Sequence, residues 1–299
     1  MSDRTTRPRA GSPTHTGGTR PAPPSKTRKT LAMILTLVII LVALWQVDAN
    51  WPRLANLFTT GPEYFRLMTQ GVLQNPLVDP NTEYWSRATS LMIESLHMAW
   101  IGTMLGALLS FPMGFLAASN VSPRAVVFVT RQILNIIRAI PELILAIAVM
   151  LPIFGLGPLA GAMALGVGAV GTLGKLTSEA IEGIDLGPVE AARAAGANKW
   201  QVLRWGITPQ VMPEIMAFWL YRFEINIRAG AILGFLGAGG IGSLLSQLFN
   251  VRAWDRIGIT LMVIILITVL VDQISARVRA RIISGDPRAT LVEVDAEVV

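Results

Sequence analysis

Six apolar stretches dominate this chain of 299 residues, each about as long as a helix must be to cross a bilayer. They cover 31–47, about 87–118, 125–151, 159–176, 211–236 and 257–274. Hydrophobic residues make up 52% of the chain and charged residues 15%, where a soluble domain carries about 25% charge. The expected fold is therefore an all-α, multi-pass protein of the cell membrane. Cysteine is absent, which excludes disulfides and thiolate chemistry, and His15 and His97 alone make no metal cluster. The net charge of +6 does not imply nucleic acid, because the basic residues flank apolar spans and suit a lipid surface.

In chain order, residues 1–29 read as a disordered basic tail with Arg4, Arg7, Arg9, Arg20, Lys26, Arg28 and Lys29. The first span, 30–48, is preferred to a signal peptide because no small-residue cleavage site follows Val47. Residues 49–86 read as an extracytoplasmic, interfacial segment, with Trp51, Tyr64, Phe65, Tyr84 and Trp85 scattered through it. Five further spans fill 87–281, with a glycine-rich loop and a short helix between Gly237 and Arg256. An acidic-hydrophobic tail, 282–299, closes the chain. Basic residues crowd the face that holds both termini and the segment with Lys175, Arg193, Lys199 and Arg204, so that face is expected to be cytoplasmic.

Between the fourth and fifth spans lies a polar island, 185–209, that reads as helix, break, helix. Pro188 suits a first helical position, Glu190 meets the positive end of the helix dipole, and Gly196 supplies a positive φ at the end. Asn198 caps a second helix from Lys199 to Trp205, which Gly206, Thr208 and Pro209 are expected to stop. Two helices this short need a partner surface.

Glu190-Ala191-Ala192, then Gly196, then Pro209 resemble the EAA loop, E-A-A-x3-G-x9-I-x-L-P, of ABC-importer permeases. Gly206 and Thr208 depart from it, standing where the motif has Ile and Leu. The resemblance implies a type I importer permease whose island is a coupling helix docking on a separate ATPase.

Charges inside the spans carry the second signal. Arg131, Asn135, Arg138 and Glu142 form one stripe on a continuous third span, and Arg222, Glu224, Asn226 and Arg228 mark the fifth. An ionisable group in hydrocarbon costs at least about 2.5 kcal/mol, so these residues must face protein or water. Arg138 with Glu142, and Glu224 with Arg228, read as neutralised pairs at helical spacing. On the alternative reading, Arg131, Asn135, Arg138, Arg222, Asn226 and Arg228 line the path of an anion, since arginine forks suit oxyanions. Glu94 and His97 add a polar patch on the second span.

The stretches 138–142, 221–228 and 234–242, within a similarity running from about Trp85 to Arg281, resemble the PhnE-like phosphonate-transport permeases. That resemblance implies an importer for phosphonate, phosphite or phosphate, built as a homodimer of this subunit. It also implies two copies of a PhnC-like ATPase, which hold the ATP and magnesium, and a PhnD-like extracytoplasmic binding protein. Glu142, Glu224, Gly239 and Gly240 are then expected at structural pairs and an outer gate. A permease of this type for another solute, such as an amino acid, is the first alternative, and a carrier or channel working without an ATPase is the second.

Some motifs mislead. Gly166-x-Gly168-x-x-Gly171 and Gly237-x-Gly239-x-x-Gly242 fit a dinucleotide fingerprint but follow no strand. The glycines of the fourth span instead allow close helix packing, with Gly157 and Gly161 read as a small-xxx-small pair. Gly174-Lys175 lacks the rest of a phosphate-binding loop, and no nucleophile, base and orienter converge, so the chain reads as non-catalytic.

Overall fold

The computed structural model describes residues 26–47, 53 and 56–284. The basic tail up to residue 25, most of the link around Trp51 and the closing tail with Arg288 lie outside the described residues. All regular structure among the described residues is helical. The chain divides into two units, Met1–Phe58 and Thr59–Val299. The first holds α1, Lys26–Gln46, which begins inside the expected tail, and its described side chains are all exposed, as a lipid-facing helix requires.

The second unit carries the bundle. The single turn α2, Asn56–Thr59, runs into it; the segment expected to be interfacial forms α3, Gly61–Leu73, and α4 follows as 37 residues, Asn81–Ala117. Helix α3 lies so close to the last helix, α13 (Trp254–Ser284), that a Cβ on Gly71 would fall 2.0 Å from the Asp255 carbonyl oxygen. The aromatics of this segment also have packing partners. Tyr64 stacks on Trp254 at 4.6 Å, and the Arg256 guanidinium sits 4.1 Å from the centre of the Tyr84 ring.

The expected third span is broken. Helix α5, Arg124–Ala139, stops before Pro141, and the chain resumes as α6 (Glu142–Leu145), a π-helical turn (Ala146–Met150) and α7 (Leu151–Phe154), bent by 85° from α5. Pro141 has no N–H to donate and drives Ile140 out of the helical region, to φ −87° and ψ 117°. Counting each bent pair as one span, the described residues contain up to six membrane crossings.

Helix α8, Pro158–Glu182, outruns the expected fourth span by six residues at its inner end and packs along α4. The seam is stripped of side chains: a Cβ on Gly102 would meet the Ala162 carbonyl oxygen at 2.8 Å, and one on Gly106 would meet the Ala169 Cβ at 2.5 Å. On its other side α8 receives α5 and α6, with Gly168 against Glu142 and Gly171 against the backbone of Leu134 and Arg138. Gly157 takes no part in such packing. It precedes α8 at φ +141° with open space around it, so the expected pairing with Gly161 is corrected. The first dinucleotide-like glycine cluster is thus a packing surface inside α8.

The island forms α9 (Gly187–Ala194) and α10 (Lys199–Gln201), but the second helix does not stop at Gly206, Thr208 and Pro209. It passes through a π-helical turn, Val202–Ile207, into α11, Thr208–Leu233. The wider turn lets both the backbone N–H and the side-chain hydroxyl of Thr208 donate to the Leu203 carbonyl. The Gly206 carbonyl accepts from the Gln210 side-chain amide at 2.6 Å. A further π turn, Gly234–Ala238, ends the run, and α12, Gly240–Asn250, leaves at 58°. Gly237 at φ +103° and Gly239 at φ +80° make that corner, conformations an L side chain resists.

Around Gly106 the neighbours are the Ala169 Cβ and the Gly166 carbonyl oxygen, neither of which is the end of a flexible side chain. Gly106→Val should lower the melting temperature of the purified protein, by roughly 1–3 kcal/mol of overpacking, or prevent its accumulation. Gly183→Ala, whose nearest neighbour would be 3.5 Å away, should leave it unchanged in the same thermal scan.

Candidate functional site: the polar knob and the charged bundle interior

The island is built as one rigid piece. Asp185 Oδ1 accepts from the Gly187 N–H at 2.9 Å and starts α9, whose Pro188 sits in the first turn. Gly196, at φ +83°, ends it: its N–H donates to the Arg193 carbonyl, and the Ala197 N–H donates to the Ala192 carbonyl at 3.1 Å. These two bonds make a Schellman cap. Asn198 then starts α10 in a reciprocal capping box, its N–H donating to Gln201 Oε1 and its Oδ1 accepting from the Gln201 N–H. Gln201, three residues after Asn198, was the readable sign of that box.

One face of α9 is glued to the bundle. Val189 is buried together with Val202, Ile207 and Val211, in a cluster that includes Phe115 of α4 and Ile181 of α8. Ala192 and Ala197 pack against this cluster, while Glu190, Ala191 and Ala194 face outward. Gly206 packs beside Val189, so the departure from the loop motif at that position lies under α9. Pro209 occupies the first turn of α11. Leu186, Trp200 and Trp205 are large, exposed apolar side chains around the knob.

Arg131 fastens the inner ends of the bundle. It donates to the Ala117 carbonyl at the end of α4 and to Glu182 at the end of α8, and Glu182 also accepts from the Ser119 N–H.

The interior charges are all present on α5, α6 and α11, but they pair differently from the expected i, i+4 partners. Glu142 pairs with Arg222, not Arg138, because the 85° bend carries it off the α5 stripe and toward α11. Glu224 pairs with Arg279 of α13, and Arg228 pairs with Asp272, also of α13, at 2.5 Å. Arg222 and Glu224 are buried, so removing one partner of either pair would leave an unpaired charge at a cost of about 3–5 kcal/mol. Asn226 is fully buried and donates to Thr103 Oγ1. Partners this distant in the chain, Glu182 and Arg279 among them, leave no local signal.

Arg138 differs from the other cations. It makes no ion pair among the described residues, its side chain is exposed, and it lines a cleft of about 330 Å³ at the bend with Pro141, Glu142, Gly168 and Thr172. Asn135 is likewise exposed on α5.

At the far end of α4 the Gly239–Gly240 corner is held by that helix. Glu94 Oε1 accepts from the Gly240 N–H at 3.0 Å, and Ser95 Oγ accepts from the Ile241 N–H at 2.9 Å. Glu94 was legible only as part of a polar patch, whereas its position makes it the cap of α12. Among the described residues no cluster of His, Asp or Glu has the form of a metal site.

A family model described as "Binding-protein-dependent transport system inner membrane component" matches residues 110–284, from the last two turns of α4 to the end of α13. The chain is 41% identical over 191 residues to the phosphate-import permease protein PhnE of Mycolicibacterium smegmatis, covering 64% of this chain and 36% of that one. It is 41% identical over 189 residues to the phosphite transport system permease protein PtxC of Stutzerimonas stutzeri, covering 63% of this chain and 68% of that one. Its fold matches a chain of the MetNI methionine ABC transporter in an inward-facing conformation, with a TM-score of 0.60 at 22% identity, over 69% of this chain and 99% of the other. The inner face of α9, the packed α4–α8 pair and the matched span from α4 to α13 lead to one assignment: the chain belongs to the inner-membrane component family of binding-protein-dependent transport systems.

Proposed function

We propose that this chain is the membrane subunit of an ATP-driven importer for phosphate, phosphite or phosphonate. It works as a homodimer with two copies of a PhnC-like ATPase, which hold the nucleotide and magnesium, and a PhnD-like binding protein outside the membrane. One observation carries the reading: a short, rigid knob with a small-residue outer face and an inner face buried against α4, α8 and α11. Ala191 and Ala194 offer a partner a thin surface to close on, with Glu190 beside them. Any displacement of the knob passes through Val189 and Val202 into the spans. The substrate class rests on the transport names of the two permeases at 41% identity.

For the anion path, the pairing pattern narrows the field. Arg131, Arg222 and Arg228 are each neutralised by a carboxylate, which weakens their pull on a passing anion, and Arg222 and Asn226 are buried. Arg138, with Asn135 a turn away, presents an unneutralised guanidinium at an open cleft.

Co-purification with the neighbouring ATPase and reconstitution with the binding protein tests the reading. ATP turnover should rise with binding protein loaded with phosphate, phosphite or methylphosphonate and not with an amino acid; stimulation by the amino acid alone would assign another solute. Transport by the chain in liposomes without an ATPase would reject the reading outright.

Gly196→Val places a β-branched residue at φ +83°, at roughly 1–3 kcal/mol of backbone strain. It should uncouple ATP turnover from uptake or weaken ATPase assembly, measured as the ratio of solute moved to ATP hydrolysed; normal coupling would contradict the docking role. Arg138→Ala should depress uptake several-fold while Arg53→Ala, outside the described bundle helices, leaves it near normal in the same labelled-substrate assay.

A further inference from the structure

At the end of α4 remote from the knob, a cleft of about 570 Å³ opens between α4 and α12. Glu83, Ser86, Arg87 and Ser90 line it from α4, and Ser243 and Gln247 line it from α12. On α4 these positions recur every three or four residues and continue one turn further to Glu94, so they form one polar face. On α12, Gly240, Ser243 and Gln247 do the same. The two faces meet at the glycine corner, where Glu94 holds the Gly240 N–H. The cleft itself ends at Ser90, Leu91 and Ser243, one turn short of that corner on both helices.

All but one of its polar groups are uncommitted. Glu83, Ser86, Arg87, Ser90 and Gln247 make no side-chain hydrogen bond or ion pair among the described residues, and Ser243 donates to the Gly240 carbonyl. Elsewhere in the bundle Arg131, Arg222, Arg228 and Arg279 are each matched with a carboxylate. A cluster of hydroxyls, an amide and an arginine without internal partners is a donor-rich surface, and such a surface suits an acceptor-rich ligand. Glu83 stands one turn before Arg87 and accepts a proton-bearing oxygen rather than a bare one.

We propose that this cleft is an entry subsite for a singly protonated tetrahedral oxyanion, received from the binding protein before it reaches the glycine corner. Arg87 supplies the charge-assisted fork, Ser86, Ser90 and Gln247 supply further donors, and Glu83 accepts from the anion's remaining hydroxyl. The subsite rests on the importer reading above and adds a place where this chain itself contacts the cargo.

The test uses the permease with its ATPase subunits, held with a non-hydrolysable ATP analogue and without binding protein, in equilibrium dialysis against radiolabelled inorganic phosphate. The wild-type complex should retain label saturably, and methylphosphonate should displace it. Arg87→Ala should weaken retention about tenfold or more, the loss expected for a hydrogen bond to a charged group. Arg87→Lys, which keeps the charge without the fork, should fall between the two. Arg87 is exposed, so both variants should melt with the wild type.

No saturable retention by the wild type, or equal retention by Arg87→Ala, would overturn the subsite. So would a variant that retains label normally but no longer associates with the binding protein, because the cleft would then be a protein-docking patch. Stimulation of ATP turnover by loaded binding protein, measured on the same wild-type preparation, separates the two claims. Stimulation without an Arg87-dependent label rejects the subsite alone; an Arg87-dependent label without stimulation rejects the importer reading and leaves the site.

Discussion

Lipid offers helices no hydrophobic gain for touching one another, so this bundle depends on how closely α4 and α8 can approach. Gly102 and Gly106 on α4 and Gly166 on α8 remove the side chains that would hold the two backbones apart. With those positions filled, dispersion contacts along the whole seam would be lost together. The remaining elements are placed from this pair: α5 and α6 lie along the other glycines of α8, and the knob rests on the inner ends of both helices.

A second consequence concerns how movement crosses the membrane. From Lys199 to Leu236 the chain is helical without a stop, and Gly237 at φ +103° opens the glycine corner at the opposite end from the knob. Its two π turns, Val202–Ile207 and Gly234–Ala238, lie at the ends of that run. On the proposed function, rotation or tilt imposed on α9 through Val189 would be carried by α11 toward Gly239 and Gly240, whose contact with Glu94 links back to α4. The Glu142–Arg222, Glu224–Arg279 and Arg228–Asp272 pairs join α11 to α6 and α13, so the lever moves with its neighbours or exchanges partners.

What the sequence revealed follows the range of the signal. Gly196 and Asn198 were legible because a left-handed cap and an N-cap are set by residues a few positions apart. The apolar spans were legible from length alone, although their ends ran several residues longer, as α8 and α13 do. Pro141 carried the information for the break in the third span, but an unbroken apolar run hid it and put Glu142 on the wrong helix face. Thr208 and Pro209 read as a stop because a proline usually ends a helix, whereas the π turn absorbs the missing donor. The partners of Glu142, Glu224 and Arg131 lie 80, 55 and 51 residues away, beyond any periodicity argument.

In the proposed importer, α9 is the surface through which an ATP-driven subunit moves the bundle. Because the chain has no cysteine, A191C introduces a single thiol on the outer face of that helix. Labelling it with a membrane-impermeant maleimide in inside-out and right-side-out vesicles, with and without the ATPase subunit, measures sidedness and coverage together. Labelling is expected from the cytoplasmic side only, with protection when the ATPase is bound. Labelling from the outside, or equal labelling with and without the ATPase, would contradict it.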